Sequence, residues 1–249
     1  MLVLVSVRSA DEVAAAVAGG ADVIDAKEPD RGPLGPVSAP TLAAIARAVP
    51  AACAFSVALG DPAGPVELAE AFGGVRQLPA CAADLVLKIG LARLGGRPAL
   101  DALLECGLQL SGTVSSPARL MAVASVDHGP TPDDVTDAAA SAGIDGVVLD
   151  TWRKDGRDLF DWLDDPALVR WIERTRSRGL RTGLAGSLSR ETIGRAARLG
   201  PDMVGVRGAA CLGGRCGRVD EGLVRSLVAA ARSAFAPRSS TSTSCKSTS

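Results

Sequence analysis

The chain has 249 residues, 47% of them hydrophobic, and its 27 Lys and Arg against 28 Asp and Glu leave a formal net charge of -1. That balance gives no whole-molecule field for nucleic acid or an anionic membrane, and 3% aromatics with no Tyr argue against base-stacking platforms. No apolar run approaches the roughly 20 residues of a membrane span, and six scattered Cys with one His and no C-x-x-C pair argue for incidental thiols over a zinc site or disulfide framework.

The first apolar run, Leu2–Val7, is of β type and too short for a signal segment, so a cytoplasmic protein is expected. Ser9-Ala10-Asp11-Glu12 then reads as a capping box, and a helix carrying Val13, Ala16 and Val17 ends at Gly19-Gly20. A second strand enters at Asp22 and leaves through Asp25, Ala26, Lys27 and Glu28, which completes a βαβ unit with a right-handed crossover. Side chains alternate along a strand, so Asp25 and Lys27 share a face at its carboxyl end and read first as an ion pair. The turn-rich loop from Pro29 to Pro36 exceeds the usual length of about two to six residues for such a connection, a common mark of function.

A helix starts near Ser38 and returns to a third strand at Cys53 to Ala58; the next helix, Pro65 to Phe72, is weakened by Gly73-Gly74. The segment from Leu104 to Pro117, broken by Gly107, Gly112 and three serines, predicts a short fourth helix with an irregular exit. Later helices are better marked. Thr131-Pro132 opens one that stops at Gly143, Asp165 to Arg178 stops at Gly179, Ser189 to Leu199 stops at Gly200, and Asp220 to Ala234 is the last. Beyond Phe235 the Ser/Thr-rich residues 236–249 have nothing to bury and are expected to be a disordered tail.

Four runs share one grammar: an Asp at the start, an apolar stretch and a charged exit. They begin at Asp22, Asp84, Asp145 and Asp202 and end at Lys27, Lys88, Asp150 and Arg207. With the runs at Leu2–Val7, Cys53 to Ala58, Met121 to Val126 and Leu180 to Ala185 they make eight strands, the shared grammar falling on the even ones. Alternate strands supply the same interior layers of a closed barrel, so the pattern predicts an α/β chain forming a single (β/α)8 barrel over residues 1–235.

Closure would bring Asp25, Lys27, Lys88, Asp150 and Lys154 to one rim. Clustered ammonium groups with apolar walls lower one another's pKa, and a neutral lysine attacks carbonyls to form Schiff bases. The last two strands end in Gly186-Ser187 and Arg207-Gly208, small residues and a cation of the kind that cradle a phosphate after such strands. Ser6 and Arg8 border the same rim, while His128 reads as a loop residue and the cysteines as packing, with Cys211 the one to watch.

The residues resemble those of the (5-formylfuran-3-yl)methyl phosphate synthases. The matching pieces are Leu4-Val-Ser-Val-Arg-Ser9, Gly20-Ala-Asp-Val-Ile-Asp-Ala-Lys-Glu-Pro29 with Gly32-Pro-Leu-Gly35, Lys88-Ile-Gly-Leu-Ala92, Leu149-Asp-Thr-Trp-Arg-Lys-Asp-Gly156, Leu184-Ala-Gly-Ser-Leu188 and Gly205-Val-Arg-Gly-Ala-Ala-Cys211. The likeness lapses at Leu104 to Pro117 and around Ser125 to His128. It implies a TIM-type barrel that condenses two molecules of glyceraldehyde 3-phosphate with loss of phosphate and water, without metal or organic cofactor, on the way to methanofuran. It further implies that Lys27 forms the Schiff base, that Lys88 accepts a proton, and that Asp25, Asp150 and Lys154 belong to the site. A class I aldolase or isomerase of another sugar phosphate is the alternative. Barrels of this size often associate through outer helices, so a homo-oligomer is expected, with no nucleic-acid or membrane partner.

Overall fold

The computed structural model describes residues 1–78 and 84–235. The expected tail, Ala83 at the head of one shared motif, Cys81 and Cys245 lie outside the described residues. Strands β1 (Leu2–Val7), β2 (Val23–Ala26), β3 (Ala54–Ala58), β4 (Leu85–Gly90), β5 (Ala118–Ser125), β6 (Gly146–Asp150), β7 (Arg181–Leu184) and β8 (Met203–Val206) form a closed barrel. Every neighbouring pair is parallel, including β8 against β1. Around it run α1 (Val13–Ala18), α2 (Ala39–Ala48), α3 (Pro65–Arg76), α4 (Arg97–Ser111), α5 (Pro132–Ala142), α6 (Asp165–Ser177), α7 (Arg190–Arg198) and α8 (Glu221–Ala234). Between β8 and α8 the chain makes a small antiparallel hairpin of β9 (Cys211–Leu212) and β10 (Arg218–Val219). No helix among the described residues is long and apolar enough to cross a membrane.

Strand alternation divides the apolar residues into two shells. Val3, Val5, Val7, Ile24, Ala26, Phe55, Val57, Leu87 and Ile89 point outward into the core shared with the helices. Inside the barrel a smaller cluster of Ala58, Met121, Val123 and Val148 is joined by Leu34, folded inward from the loop after β2. That loop owes its length to this return: Pro29–Arg31 forms a short 3₁₀ turn, and the Glu28 N–H donates back to the Gly35 carbonyl at 2.8 Å. The inner cluster is small, so the carboxyl end of the barrel is left to polar side chains.

The leading Asp of the shared grammar has a structural cause at the opposite end. Asp22, Asp145 and Asp202 each accept the N–H of a residue on the preceding strand, from Val3 at 2.8 Å, Leu120 at 2.7 Å and Thr182 at 2.8 Å. These carboxylates satisfy strand donors that would otherwise have no ladder partner. Asp84 departs from the pattern and accepts Arg119 at 3.0 Å.

Two local expectations are corrected. The fourth helix is not short but spans 15 residues, and Gly107 lies buried inside it. A Cβ there would come within 2.6 Å of Ile89 Cδ1, so the glycine reflects close packing on the sheet and no break. Nor does Ser9 cap the first helix, since its side chain makes no capping bond. Glu12, buried, accepts the Arg8 N–H at 2.8 Å and bonds the Arg207 guanidinium, so its carboxylate serves a cation from the far end of the chain.

Candidate active site

Asp25 is fully buried on β2, in register with Ser6 of β1 and Ser56 of β3. Its partner is not Lys27, as the shared strand face suggested, but Lys88 on β4, whose Nζ lies 2.8 Å away. Ser6 Oγ donates to the other carboxylate oxygen at 2.7 Å. Burial alone would raise this carboxyl, but the Lys88 and Lys27 ammonium groups and the two side-chain hydrogen bonds outweigh it and hold the group below the usual carboxylate range. The Ser56 hydroxyl beside it has no hydrogen-bond partner among the described residues.

Lys27 stands one residue beyond β2, its backbone N–H fixed on the Val7 carbonyl at 3.0 Å. The residue is 8% exposed, and its ammonium makes no hydrogen bond or ion pair among the described residues. Burial is the first cause that pushes its pKa down, to about 8; Asp150 and Asp25 pull it up, while Lys88 and Lys154 push it further down. Desolvation therefore does more than the neighbouring ammonium, because Lys88 has its own counter-ion in Asp25.

At the end of β6 Asp150 accepts Lys154 Nζ at 2.9 Å and the Thr151 N–H at 2.7 Å. Burial works against its charge, yet Lys154 and Lys27 keep the carboxyl below its ordinary range. The strand exit that carries Lys154 is held by Asp127, which accepts the Trp152 and Arg153 N–H groups at 2.6 and 2.8 Å. His128 stacks on Trp152 with ring centroids 5.2 Å apart, so the loop histidine also braces this segment.

A cavity of about 380 Å³ opens at this end, and Lys27, Lys88, Asp150 and Lys154 all line it, with Asp25 buried behind Lys88. The residues expected to hold phosphate, Gly186, Ser187, Arg207 and Gly208, also line it. Gly186 and Ser187 take left-handed backbone angles, φ 96 and 54, and a Cβ on Gly186 would approach Thr151 Cγ2 to 3.1 Å. A non-glycine residue held at positive φ is strained, which is common where a loop is shaped for a ligand.

The two arginines expected at the rim are both engaged within the protein. Arg8 contacts Glu28 at 2.7 Å and Asp30 at 2.6 Å. Arg207 bonds both carboxylate oxygens of Glu12, at 2.5 and 3.2 Å, and three backbone carbonyls. Sequence reasoning missed Glu12 in this role because the serine three places before it offered a local explanation. It also passed over Asp61, whose signal was present: an acid just after the third strand, at the same exit as the chemistry. Its carboxylate occupies the space beside Gly90, where a Cβ would fall 2.0 Å from Oδ1, and burial pushes it up to about 6. Among the cysteines Cys53 and Cys211 are buried, the latter's thiol pushed up to about 11 chiefly by burial, but Cys216 is exposed and donates to Asp30 at 3.1 Å. Packing therefore does not account for Cys216. Among the described residues no three His, Cys, Asp or Glu side chains converge as metal ligands would.

Comparison with known proteins finds relatives of the whole chain. A family model described as 4-HFC-P synthase matches residues 3–228. The chain is 35% identical to the (5-formylfuran-3-yl)methyl phosphate synthase of Methanococcus aeolicus, over 92% of this chain and 98% of that protein. It is 33% identical to the enzyme of the same name from Methanocaldococcus jannaschii, over 91% and 98%. Among solved structures, phosphoribosyl anthranilate isomerase from Thermus thermophilus matches with TM-score 0.59 at 16% identity, covering 94% of this chain and 99% of that one. KGPDC from Streptococcus mutans matches with TM-score 0.59 at 14% identity, over 95% and 100%. At such identities these two structures speak to the barrel fold alone.

Proposed function

The chain belongs to the 4-HFC-P synthase family, and from that premise we propose that it condenses two molecules of glyceraldehyde 3-phosphate into (5-formylfuran-3-yl)methyl phosphate through a Schiff base on Lys27. The observation that carries the proposal is the state of Lys27: buried, unpartnered among the described residues, and with a pKa of about 8, it holds a usable neutral fraction near neutrality. Its Nζ attacks the carbonyl carbon of one triose phosphate and expels water. The iminium so formed draws electrons from the adjacent carbon, whose proton passes to a base. Lys88 lines the same cavity and can take up that proton as its own passes to Asp25, 2.8 Å away. The enamine carbon joins the second triose, and dehydration, loss of inorganic phosphate and ring closure give the furan before water frees the lysine.

The atoms balance with one phosphate and two waters released for each furan formed. Asp150 with Lys154 provides a second paired acid and base on the opposite wall for the eliminations. The reaction on this reading runs without a metal or organic cofactor, and the glycine-rich exits of β7 and β8 hold phosphate. Incubation with glyceraldehyde 3-phosphate and borohydride, followed by peptide mass spectrometry, tests it. The expected result is a reduced triose adduct on Lys27, with near-ultraviolet absorbance of a furan aldehyde appearing when borohydride is omitted. An unmodified Lys27, or turnover without that absorbance, rejects the reading.

A further inference from the structure

We propose that Arg215, at the turn of the β9–β10 hairpin, is the guanidinium that receives a substrate phosphate, and that Arg207 holds it in place without binding the anion itself. Arg215 lines the cavity together with Lys27, Lys154, Ser187 and Gly208. Its Nη2 donates to the carbonyls of Pro29 at 3.2 Å and Gly32 at 2.6 Å, both on the loop after β2. Among the described residues its Nε and Nη1 have no partner and no carboxylate pairs with it. A half-buried guanidinium with a free edge is costly unless an anion arrives to meet it. Burial accordingly pushes its pKa down, while Asp150 and Asp30 pull it up and Arg207 pushes it lower.

Of the two arginines among the described residues that line the cavity, Arg215 is the one with capacity to spare. Asp150 is engaged by Lys154 at 2.9 Å and Asp30 by Arg8 at 2.6 Å, so neither neutralises Arg215 directly. Arg207 is the opposite case. Its Nη1 donates to Ser6 O and Glu12, its Nη2 to Glu12 and Gly217 O, and its Nε to the carbonyl of Arg215 at 3.1 Å. Every nitrogen of that side chain is occupied, and one of its bonds fixes the backbone of the residue that remains free. The hairpin supports the same geometry: Gly213 and Gly214 turn the chain at φ 82 and 76, and a Cβ on Gly217 would lie 1.8 Å from the Leu212 carbonyl oxygen. Arg215 is thus presented from a turn with little freedom, with the planar fork that suits a phosphate.

This inference rests on the reading that the substrates carry phosphate, but its first test does not involve Lys27. Calorimetric titration of inorganic phosphate into the full chain is expected to show binding that weakens about ten- to hundredfold in Arg215→Gln. Arg215→Lys is expected to recover part of it, since charge returns without the fork. Undiminished binding in Arg215→Gln, or no phosphate binding by the wild type, overturns the proposal, whatever happens at Lys27. The positioning role of Arg207 has its own readout. Arg207→Lys is expected to weaken phosphate binding in the wild-type background and to have no further effect in an Arg215→Gln background. A loss that persists there overturns the link between the two arginines. Failure of borohydride trapping with intact phosphate binding would instead reject the Schiff-base reading alone.

Discussion

Lys27 is held in a state that disfavours the fold. Its pKa is about 8 in the barrel against an ordinary value of 10.5. Between those values the unfolded chain binds more protons than the folded one, so this lysine's contribution to stability improves as pH rises, and below about 8 the full penalty is present. The depression corresponds to about 3 kcal/mol. Lys27→Met is therefore expected to stabilise the protein at neutral pH by about 1–3 kcal/mol in urea unfolding, the gain shrinking at higher pH, while abolishing turnover. Loss of stability in that variant would contradict the burial of an unpaired ammonium. Adduct formation should rise about tenfold per pH unit below the Lys27 pKa and level off above it, as measured by borohydride trapping. A flat profile would mean that another group limits attack. Lys27 and Asp150 were legible in the sequence because each stands where an apolar run stops, Lys88 because the same grammar repeats on β4, and Lys154 because it lies just beyond the sixth strand's exit. Which acid serves which lysine was not legible, since Asp25 reaches past the adjacent β3 to Lys88 on β4.

At the scale of elements, the Asp that opens the even-numbered strands and the charged residue that closes them serve opposite ends of the barrel. Asp22, Asp145 and Asp202 satisfy strand N–H groups at the amino end, far from the lysines at the carboxyl end. Asp145→Ala leaves the Leu120 N–H unpaired and is expected to cost about 1–3 kcal/mol in stability with kcat unchanged at temperatures below melting. A fall in kcat without a fall in stability would show that this end communicates with the chemistry. The repeated pattern was visible as sequence, and barrel closure followed from it because strands with the same grammar alternated. The fourth helix was misread for a physical reason. Gly107 lowers helix propensity, but the clearance it gives against Ile89 outweighs that term once the sheet is present, and no sequence window contains both.

For the whole molecule, the bond between Glu12 and Arg207 joins the first crossover to the last strand across 195 positions. Both side chains are buried, 4% and 3% exposed, and Glu12 also accepts the Val219 N–H at 3.3 Å. Glu12→Ala strands a buried guanidinium and is expected to lower stability by about 3–5 kcal/mol in urea unfolding, with phosphate affinity falling as the Arg215 turn loosens. An unchanged midpoint would show that Arg207 finds other partners without strain. This pair also sets a clock on synthesis. At about 5–20 residues per second on the ribosome, Glu12 waits roughly 10–40 s for Arg207 to be made. For that interval β1 has β2 along one edge and nothing along the other, because its second neighbour is β8. The nascent chain is thus most open to mispairing at the edge whose late closure completes the site.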